Sequence, residues 1–167
     1  MNLVGNDRLP WLAAQARASP EGWLVDPEGY GETRVDGLKA YCKVDFLIPA
    51  QGRIHILDWK TGRRREERHA VQMRGYAAWA AHEYTVPLAQ VVPVIAYLLP
   101  SYEEVTTALN EYDMQDFATM VREQTKEMYA LCSDVEQNVP LPKERFPLTQ
   151  LWSLCSYCNY RELCGRA

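Results

Sequence analysis

Residues 41–62, YCKVDFLIPAQGRIHILDWKTG, constrain the possible folds of this chain most strongly. Two short apolar runs flank a Gln-Gly turn, and side chains alternate along each run, which predicts a β-hairpin whose first strand covers 41–47. Asp45 lies in the first run and Asp58 in the second. Lys60 follows Asp58 by two residues, so both side chains point to the same face of the second strand. A register that places Asp45 opposite them would gather two carboxylates and an ammonium.

Two carboxylates and an ammonium on one face of a sheet leave an excess negative charge that must be neutralised. Burying an ionised side chain costs several kcal/mol unless a partner neutralises it, and a divalent metal ion is the usual partner for two neighbouring carboxylates. The leading interpretation of Asp45, Asp58 and Lys60 is therefore a metal-dependent hydrolytic site.

The length and composition are those of one globular domain, because 167 residues with 47% apolar and 24% charged side chains can bury a core. We predict a single domain over 1–167, with an N-terminal extension at 1–20, a core at 21–138 and a cysteine-rich segment at 139–167. No apolar run reaches the length of a membrane span, and the N-terminus lacks the layout of a signal peptide. We therefore expect no membrane partner and a cytoplasmic location.

The net charge of −4 does not by itself favour nucleic-acid binding, which normally requires an excess of Lys and Arg. A basic segment directly after Asp58 is the local exception; it contains Lys60, Arg63, Arg64, Arg65 and Arg68. One interpretation is a solvated, mixed-charge helix start. The alternative, favoured by the neighbouring carboxylates, is a rim that guides phosphates.

The rest of the core alternates between strand and helix patterns. Apolar residues recur at helical spacing over 66–84 and 113–132, which predicts two helices, the second with an apolar stripe facing the core. Strands are predicted at 22–25, 31–38, 90–99 and 105–109. The first two should pair with the hairpin as an antiparallel meander, and Pro93 requires an edge or a bulge in the third. The pattern predicts a mixed α/β (α+β) fold.

Gln72 and Tyr76 are four residues apart and therefore share one face of the first predicted helix. They form either a satisfied polar edge or a hydrogen-bonding bracket, since an amide and a phenol can hold a carboxylate, a water or a phosphate oxygen.

Three of the five cysteines stand close together near the C-terminus, where Cys155, Cys158 and Cys164 form a C-x2-C-x5-C pattern. This spacing allows thiolates to share one metal centre, and it suits an iron–sulfur cluster and zinc equally well. Cys132 is a candidate fourth ligand across the proline-rich loop at 139–147, which contains three prolines. Cys42 is better interpreted as a small buried thiol.

Four motifs in this order resemble the RecB-type branch of the PD-(D/E)XK nuclease superfamily, which includes iron–sulfur exonucleases such as CRISPR-associated spacer-acquisition nucleases and AddB-type subunits. They are VDF at 44–46, LDWKTG at 57–62, QMRGY at 72–76 and the C-x2-C-x5-C pattern. The resemblance runs from about residue 20 to the C-terminus. It implies a restriction-endonuclease-like core, a central mixed sheet flanked by helices, followed by a cysteine-rich lobe that holds a metal or cluster.

The resemblance also implies roles for the hairpin residues. Asp45 and Asp58 would bind the catalytic Mg²⁺ or Mn²⁺, with the carbonyl of Trp59 as a further ligand. Lys60 would orient or activate the attacking water and stabilise charge on the phosphate. These roles agree with elementary chemistry, because hard divalent ions prefer oxygen ligands and lower the pKa of bound water.

Outside the hairpin, the resemblance matches Gln72 and Tyr76 to the QxxxY helix that supports the site and contacts DNA. It favours a 4Fe–4S cluster on Cys155, Cys158 and Cys164, with Zn²⁺ as the alternative. The implied function is a DNA exonuclease that acts on single strands or DNA ends in repair, recombination or CRISPR adaptation. A helicase or a CRISPR integrase is the candidate protein partner.

Two features expected from the resemblance are missing near the N-terminus. Relatives supply a histidine or glutamate to the metal from an N-terminal helix, and a cysteine to the cluster from the same region. Here no cysteine precedes Cys42 and no histidine precedes His55, so we expect that helix to be absent. One alternative function is therefore a catalytically impaired nucleic-acid-binding or assembly module. Another is a thiolate zinc protein with no nuclease role, although it would leave the carboxylates unexplained.

Overall fold

The computed structural model describes residues 5–166, so residues 1–4 of the predicted N-terminal extension and residue 167 lie outside it. The chain divides into two compact units at Arg122 and Glu123. The division of the chain into 1–20, 21–138 and 139–167 stays a prediction. Within the described residues, no helix is both long enough and apolar enough to cross a membrane.

The helices and strands follow in a mixed order along the chain. The helices are α1 (Arg8–Ala18), α2 (Glu66–Glu83), α3 (Glu111–Tyr129) and α4 (Trp152–Cys155), with 3₁₀ turns at Leu88–Gln90 and Lys143–Arg145. The strands are β1 (Leu24–Val25), β2 (Gly31–Val35), β3 (Leu38–Cys42), β4 (Phe46–Ala50), β5 (Arg53–Lys60), β6 (Val91–Tyr97), β7 (Glu103–Thr106), β8 (Cys132–Asp134) and β9 (Val139–Pro140).

Five strands of the first unit form one sheet in the order β1-β4-β5-β6-β7. The β4–β5 hairpin turns through Gln51 and Gly52, whose φ angles are +54° and +69°. Strands β5 and β6 are parallel, and α2 makes the crossover between them, as a parallel pair requires. Strand β7 returns antiparallel to β6. The predicted central mixed sheet flanked by helices is thus confirmed.

Residues 41–47 do not form one continuous strand. Strand β3 ends at Cys42 and pairs with β2 in a separate two-stranded sheet, whereas β4 begins at Phe46. The reason is that carbonyls in the intervening turn bond to distant donors. The Tyr76 hydroxyl donates to the carbonyl of Lys43, and the Asp26 N–H donates to that of Asp45. Of the two N-terminal strands, only β1 joins the hairpin directly.

Strand β6 lies between β5 and β7, although it contains Pro93. The pairing with β7 extends only from Val94 to Tyr97, so Pro93 lies one residue outside that ladder. Its carbonyl accepts a 3.2 Å hydrogen bond from the N–H of Thr107. The proline is therefore tolerated in an interior strand because its neighbour ends beside it.

Helix α2 covers one face of the sheet. Ile56, Ile95 and Leu47 are fully or almost fully buried there, together with Met73 and Ala77 of the helix. The same helix packs against the small β2–β3 sheet, and a Cβ at Gly31 would overlap the indole of Trp79. Only glycine therefore allows this approach of helix and strand.

The other face of the sheet carries Ile48, Leu57 and Val94, against which Trp11 of α1 packs. Helix α1 buries no residue completely. It is held by an ion pair from Arg8 to Glu104 of β7, in which Arg8 Nε donates to Glu104 Oε1 at 2.7 Å. The Trp11 ring also meets His55 edge-on, with ring centroids 5.0 Å apart.

In the second unit, β8 and β9 form a short antiparallel pair. The N–H of Leu141 donates to the carbonyl of Leu131, which ties the start of the proline-rich segment to the residues just after α3. Most large apolar side chains of this unit are exposed, including Leu151, Trp152 and Leu163.

Candidate active site

The alternation of β5 brings Asp58 and Lys60 to the face of the sheet that packs on α2. Ile54 and Ile56 precede them in the same row and belong to the core beneath α2. Asp58 is consequently only 1% exposed, and the side chain of Lys60 is 20% exposed at the end of the strand. The carboxylate of Asp58 thus occupies a core position of β5, where the alternation of the strand predicts an apolar side chain.

Asp45 reaches the same place from the neighbouring strand. The hairpin register pairs Phe46 with Leu57, and its continuation by one residue sets Asp45 beside Asp58. The backbone N–H of Trp59 donates a 3.0 Å hydrogen bond to Asp45 Oδ2. The predicted convergence of two carboxylates and one ammonium is therefore present in the structure.

Asp58 lies in an electrostatically unusual position. Lys60 Nζ lies 2.5 Å from Asp58 Oδ2, so the ammonium and this buried oxygen form an ion pair. Burial raises the pKa of Asp58, Lys60 opposes this, and the negative charge of Asp45 adds to it, so that the pKa lies above its usual value. The site is short of positive charge.

The donor set fits a hard divalent cation. Asp58 supplies a buried carboxylate that pairs with Lys60 through one oxygen, and the hydrogen bond from Trp59 engages one oxygen of Asp45. Mg²⁺ is commonly held by one or two carboxylates and keeps several waters. Within residues 5–166, no three His, Cys, Asp or Glu side chains are grouped so that they could hold a metal ion. The proposed metal ligands are thus Asp45 and Asp58, and the role of the Trp59 carbonyl stays a prediction.

A chain of hydrogen bonds connects Lys60 to α2. Lys60 Nζ donates to Gln72 Oε1 at 2.9 Å, and Gln72 Nε2 donates to the Tyr76 hydroxyl at 2.6 Å. The Tyr76 hydroxyl in turn donates to the carbonyl of Lys43 at 2.6 Å. Burial raises the pKa of Tyr76, which therefore stays protonated and able to donate. Gln72 and Tyr76 form a bracket that orients the ammonium of Lys60.

His69 and Tyr97 were not predicted as part of this region. His69 Nδ1 lies 2.9 Å from the Tyr97 hydroxyl, and their rings are 5.6 Å apart. Burial and the positive charge of Lys60 lower the pKa of His69, so the imidazole is biased towards its neutral form. The position of His69 three residues before Gln72 could have indicated it, since both share a helix face. Tyr97 is evident only from its register opposite Lys60.

The three cysteines of the C-terminal pattern line one cavity of about 1100 Å³ in the second unit. Cys155 and Cys158 are joined by a turn in which the N–H of Cys158 donates to the carbonyl of Cys155. Cys158 Sγ accepts from the N–H of Tyr160 at 3.4 Å, and Cys155 Sγ lies 3.6 Å from Arg166 Nη1. The side chains face shared space, but the sulfur atoms are not gathered around one point.

The other two cysteines differ in environment. Cys132 begins β8, and its thiol lies 3.8 Å from the carbonyl of Met128. Cys42 is half-buried, and burial raises the pKa of its thiol to about 12, so it stays protonated. All five cysteines are free thiols. Cys42 therefore has the character of the small core residue that its position on the strand predicted.

Comparisons with solved structures find ten matching chains, and two of them have the following similarity. One is the protein named SSO0001, which is 16% identical with a TM-score of 0.43, over 95% of this chain and 68% of that one. The other is a candidate exonuclease from Eubacterium rectale, 12% identical with a TM-score of 0.42, over 86% of this chain and 63% of that one. No curated protein sequence matches the chain.

A family profile gives a more specific assignment. The profile that describes the PD-(D/E)XK nuclease superfamily matches residues 5–165, almost the entire chain. The match includes the hairpin with its two carboxylates, the lysine at the end of β5 and the Gln/Tyr face of α2. The chain belongs to the PD-(D/E)XK nuclease superfamily.

Proposed function

We propose that this protein is a divalent-metal-dependent DNA exonuclease that acts on single strands or DNA ends. The observation that carries the proposal is the buried carboxylate of Asp58, which is ion-paired with Lys60 and lies beside the second carboxylate, Asp45. Superfamily membership supports phosphodiester hydrolysis as the reaction. Mg²⁺ or Mn²⁺ is the expected ion, because such oxygen donors suit hard cations.

Each residue has a distinct task in this proposal. Asp45 and Asp58 would hold the ion, which when bound lowers the pKa of water and neutralises phosphate charge. Lys60, held by Gln72, presents an ammonium next to the carboxylates and can stabilise charge on a phosphate oxygen. The Trp59 N–H keeps Asp45 in place. Tyr76 positions Gln72 and anchors α2 to the turn before β4.

Cleavage of a labelled single-stranded oligonucleotide with Mg²⁺ or Mn²⁺ tests the proposal. The wild type should cleave, whereas Asp58→Ala and Asp58→Asn should lose at least about a hundredfold of the rate, as expected when a metal ligand is removed. Glu21→Gln is the matched control, because Glu21 is an exposed carboxylate of the same unit. Equal residual cleavage by wild type and Asp58→Ala would mean that the activity belongs to a contaminant.

A second candidate is a module that binds nucleic acid but is catalytically impaired. It is favoured by the absence of a third acidic or histidine ligand beside Asp45 and Asp58 among the described residues. DNA binding without metal-dependent cleavage would support it. Turnover that is abolished by Lys60→Ala would count against it, since a merely binding module has no rate for Lys60 to control.

For the second unit we propose a 4Fe–4S cluster on Cys155, Cys158 and Cys164, with Cys132 as the candidate fourth ligand. Support comes from the shared cavity and from the thiol-only donor set. Such a cluster would place the protein in the RecB-type branch, with a helicase or CRISPR integrase as partner in repair, recombination or CRISPR adaptation. Ligation would require the three thiolates to be drawn together.

Anaerobic purification with iron, sulfide and zinc analysis tests the cluster. A brown sample with broad absorption near ~400 nm is the expected result. Cys158→Ser should lose the colour and Cys42→Ser should keep it, since Cys42 is the protonated thiol of β3. A colourless, zinc-loaded sample would replace the cluster with a zinc site.

A further inference from the structure

We propose that a groove at the carboxyl ends of β5 and β6 binds the unpaired nucleotide next to the scissile phosphate, with the base stacked on Arg64. Arg63, which lines the groove, and Arg65 and Arg68, which follow it in the chain, would hold the flanking phosphates. This inference rests on the proposed function, and it adds a place for the strand and a reason for preferring single-stranded DNA.

The groove lies where the topology favours a ligand. Strands β5 and β6 are parallel, and their last residues, Lys60 and Tyr97, are register partners. In open sheets with parallel strands, ligands bind outside the carboxyl ends of the strands. A cavity of about 660 Å³ opens here between the residues that follow each strand, Gly62 to Arg64 on one side and Leu99 to Glu103 on the other. Its volume is that of a small-molecule pocket and suits one nucleotide.

Arg64 provides a flat surface for a base. Its guanidinium lies 4.7 Å over the ring of Tyr97, and it is held by Glu103 at 2.8 Å and Glu66 at 2.7 Å. Since Tyr97 is buried and covers one side of the guanidinium plane, the other side is available for stacking. Arginine planes fixed in this way stack on unpaired bases. Leu99, which is 62% exposed, adds apolar surface at the rim.

The basic segment that begins at the groove suits a phosphate backbone, and of its three arginines that are unpaired within residues 5–166, Arg63 lines the groove itself. Arg63, Arg65 and Arg68 are exposed, and none of them forms an ion pair with a described residue. Arg64 already engages two of the nearby glutamates, so those carboxylates do not neutralise the three free arginines. Guanidinium groups bind phosphate oxygens through paired N–H donors. The free arginines are therefore available to phosphates on either side of the stacked base.

Stacking of one base on Arg64 would explain a preference for single-stranded over double-stranded DNA. A base in the interior of a duplex has both faces covered by its neighbours, and exposing one face costs a few kcal/mol of unstacking. A single strand can place a base on Arg64 without this cost. We therefore infer that the groove discriminates between single and double strands through Arg64, whereas Arg63, Arg65 and Arg68 contribute affinity without discrimination.

Binding without divalent metal tests the groove independently of catalysis. The full chain is titrated in EDTA with a fluorescein-labelled oligothymidine of about 12 nucleotides, a length within the range of single-strand binding sites. Arg63→Ala should weaken binding about tenfold at low salt and reduce the salt slope by about 0.7, the loss of one phosphate contact on a single strand. Arg53→Ala is the matched control, because Arg53 is exposed at the opposite end of the same strand.

A second variant tests the stacking surface. Arg64→Lys keeps the positive charge but removes the planar group, so it should reduce the preference for oligothymidine over a duplex of equal length about fivefold to tenfold, the order of one base-stacking interaction. Unchanged preference in Arg64→Lys would overturn the stacking, and wild type that binds both substrates equally would overturn it as well.

The outcomes separate this inference from the proposed function. If the wild type does not cleave with Mg²⁺ or Mn²⁺ but Arg63→Ala and Arg64→Lys change binding as expected, the groove stands and the nuclease assignment falls. If the wild type cleaves while Arg63→Ala binds and cleaves like Arg53→Ala, the nuclease stands and the groove falls. Absence of any metal-free binding by the wild type also overturns the groove.

Discussion

The backbone N–H of Trp59 donates a 3.0 Å hydrogen bond to the carboxylate of Asp45, and it does so from between Asp58 and Lys60. One bond thus fixes the position of Asp45 relative to both residues of β5. Trp59 engages one oxygen of Asp45 and Lys60 pairs with one oxygen of Asp58, so the second oxygen of each carboxylate can accept a cation. This hydrogen bond lies within the hairpin, whereas the orientation of Lys60 also depends on Gln72 of α2.

Replacement of Asp45 should separate this structural role from metal binding. Asp45→Asn keeps an oxygen that can accept from Trp59, so its free energy of unfolding should stay close to that of the wild type. Asp45→Ala leaves the Trp59 N–H without its partner and should be less stable by about 1–2 kcal/mol. Both variants should lose metal-dependent cleavage. Urea unfolding and a cleavage assay measure the two effects, and equal stability of both variants would contradict the role of the hydrogen bond.

Removal of the Tyr76 hydroxyl should affect both stability and turnover. Tyr76→Phe leaves the Lys43 carbonyl and Gln72 Nε2 without a partner, which should cost about 1–3 kcal/mol. Gln72 can then rotate away from Lys60, so kcat should fall by about tenfold, the size of a 1.4 kcal/mol loss, with a smaller change in KM. Tyr84→Phe is the control, because the Tyr84 ring packs on Trp79 without a hydrogen bond from its hydroxyl to the described residues. A larger loss in Tyr84→Phe would refute this assignment.

Divalent cations should stabilise the folded protein through Asp58. At about 100 times Kd, a ligand that binds only the folded state adds about 2.7 kcal/mol. For a chain of this length that corresponds to a rise in Tm of about 5–10 °C. Thermal unfolding with and without Mg²⁺ or Mn²⁺ measures the shift. Asp58→Asn should show little of it, and an undiminished shift in that variant would place the ion elsewhere.

Acid should destabilise the protein through His55. Its Nε2 is buried and has no hydrogen-bond partner within residues 5–166, and burial lowers the pKa of His55, assisted by the positive charges of Arg8 and Arg53. The folded state therefore favours the neutral ring, whereas the unfolded chain takes up a proton near pH ~6.5. The stabilisation is complete above that pH and is lost as the pH falls towards the lower folded-state pKa.

Urea unfolding of wild type and His55→Phe at about pH 7.5 and about pH 5.5 measures this effect across the ordinary histidine pKa. Phenylalanine keeps a ring against Trp11 but has no proton to bind. The loss of stability between the two pH values should be smaller in His55→Phe. Identical losses would assign the acid sensitivity to other groups, of which His69 is the first candidate because its pKa is also lowered by burial.

Local periodicity was sufficient to predict the central part of the site. The alternation of the hairpin placed Asp58 and Lys60 on one face, and the four-residue spacing on α2 placed Gln72 beside Tyr76. Superfamily membership is likewise confirmed by the profile match. These features depend on residues close together in sequence, where the geometry of one strand or one helix decides the outcome.

Features that depend on distant partners could not be predicted in this way. The chain leaves the strand after Cys42 because Tyr76 and Asp26 bond to carbonyls of the following turn. The pairing of His69 with Tyr97 requires the parallel register of β5 and β6. Helix α3 has the predicted amphipathic pattern, yet only Phe117 of its residues is buried. An apolar stripe predicts which face of a helix can be buried. How much of that face is buried depends on the tertiary structure.

Alternate residues of β5 point to opposite faces of the sheet, one packed on α2 and the other on Trp11 of α1. Insertion of one residue between 54 and 58 would exchange those sides, turning Leu57 towards α2 and Asp58 towards Trp11. An insertion at the Gln51-Gly52 turn would leave the alternation of the strand intact. The number of residues in β5 thus determines whether Asp58 faces α2, and libraries or chimaeras of this fold should vary the turn while conserving the number of residues from Arg53 to Lys60.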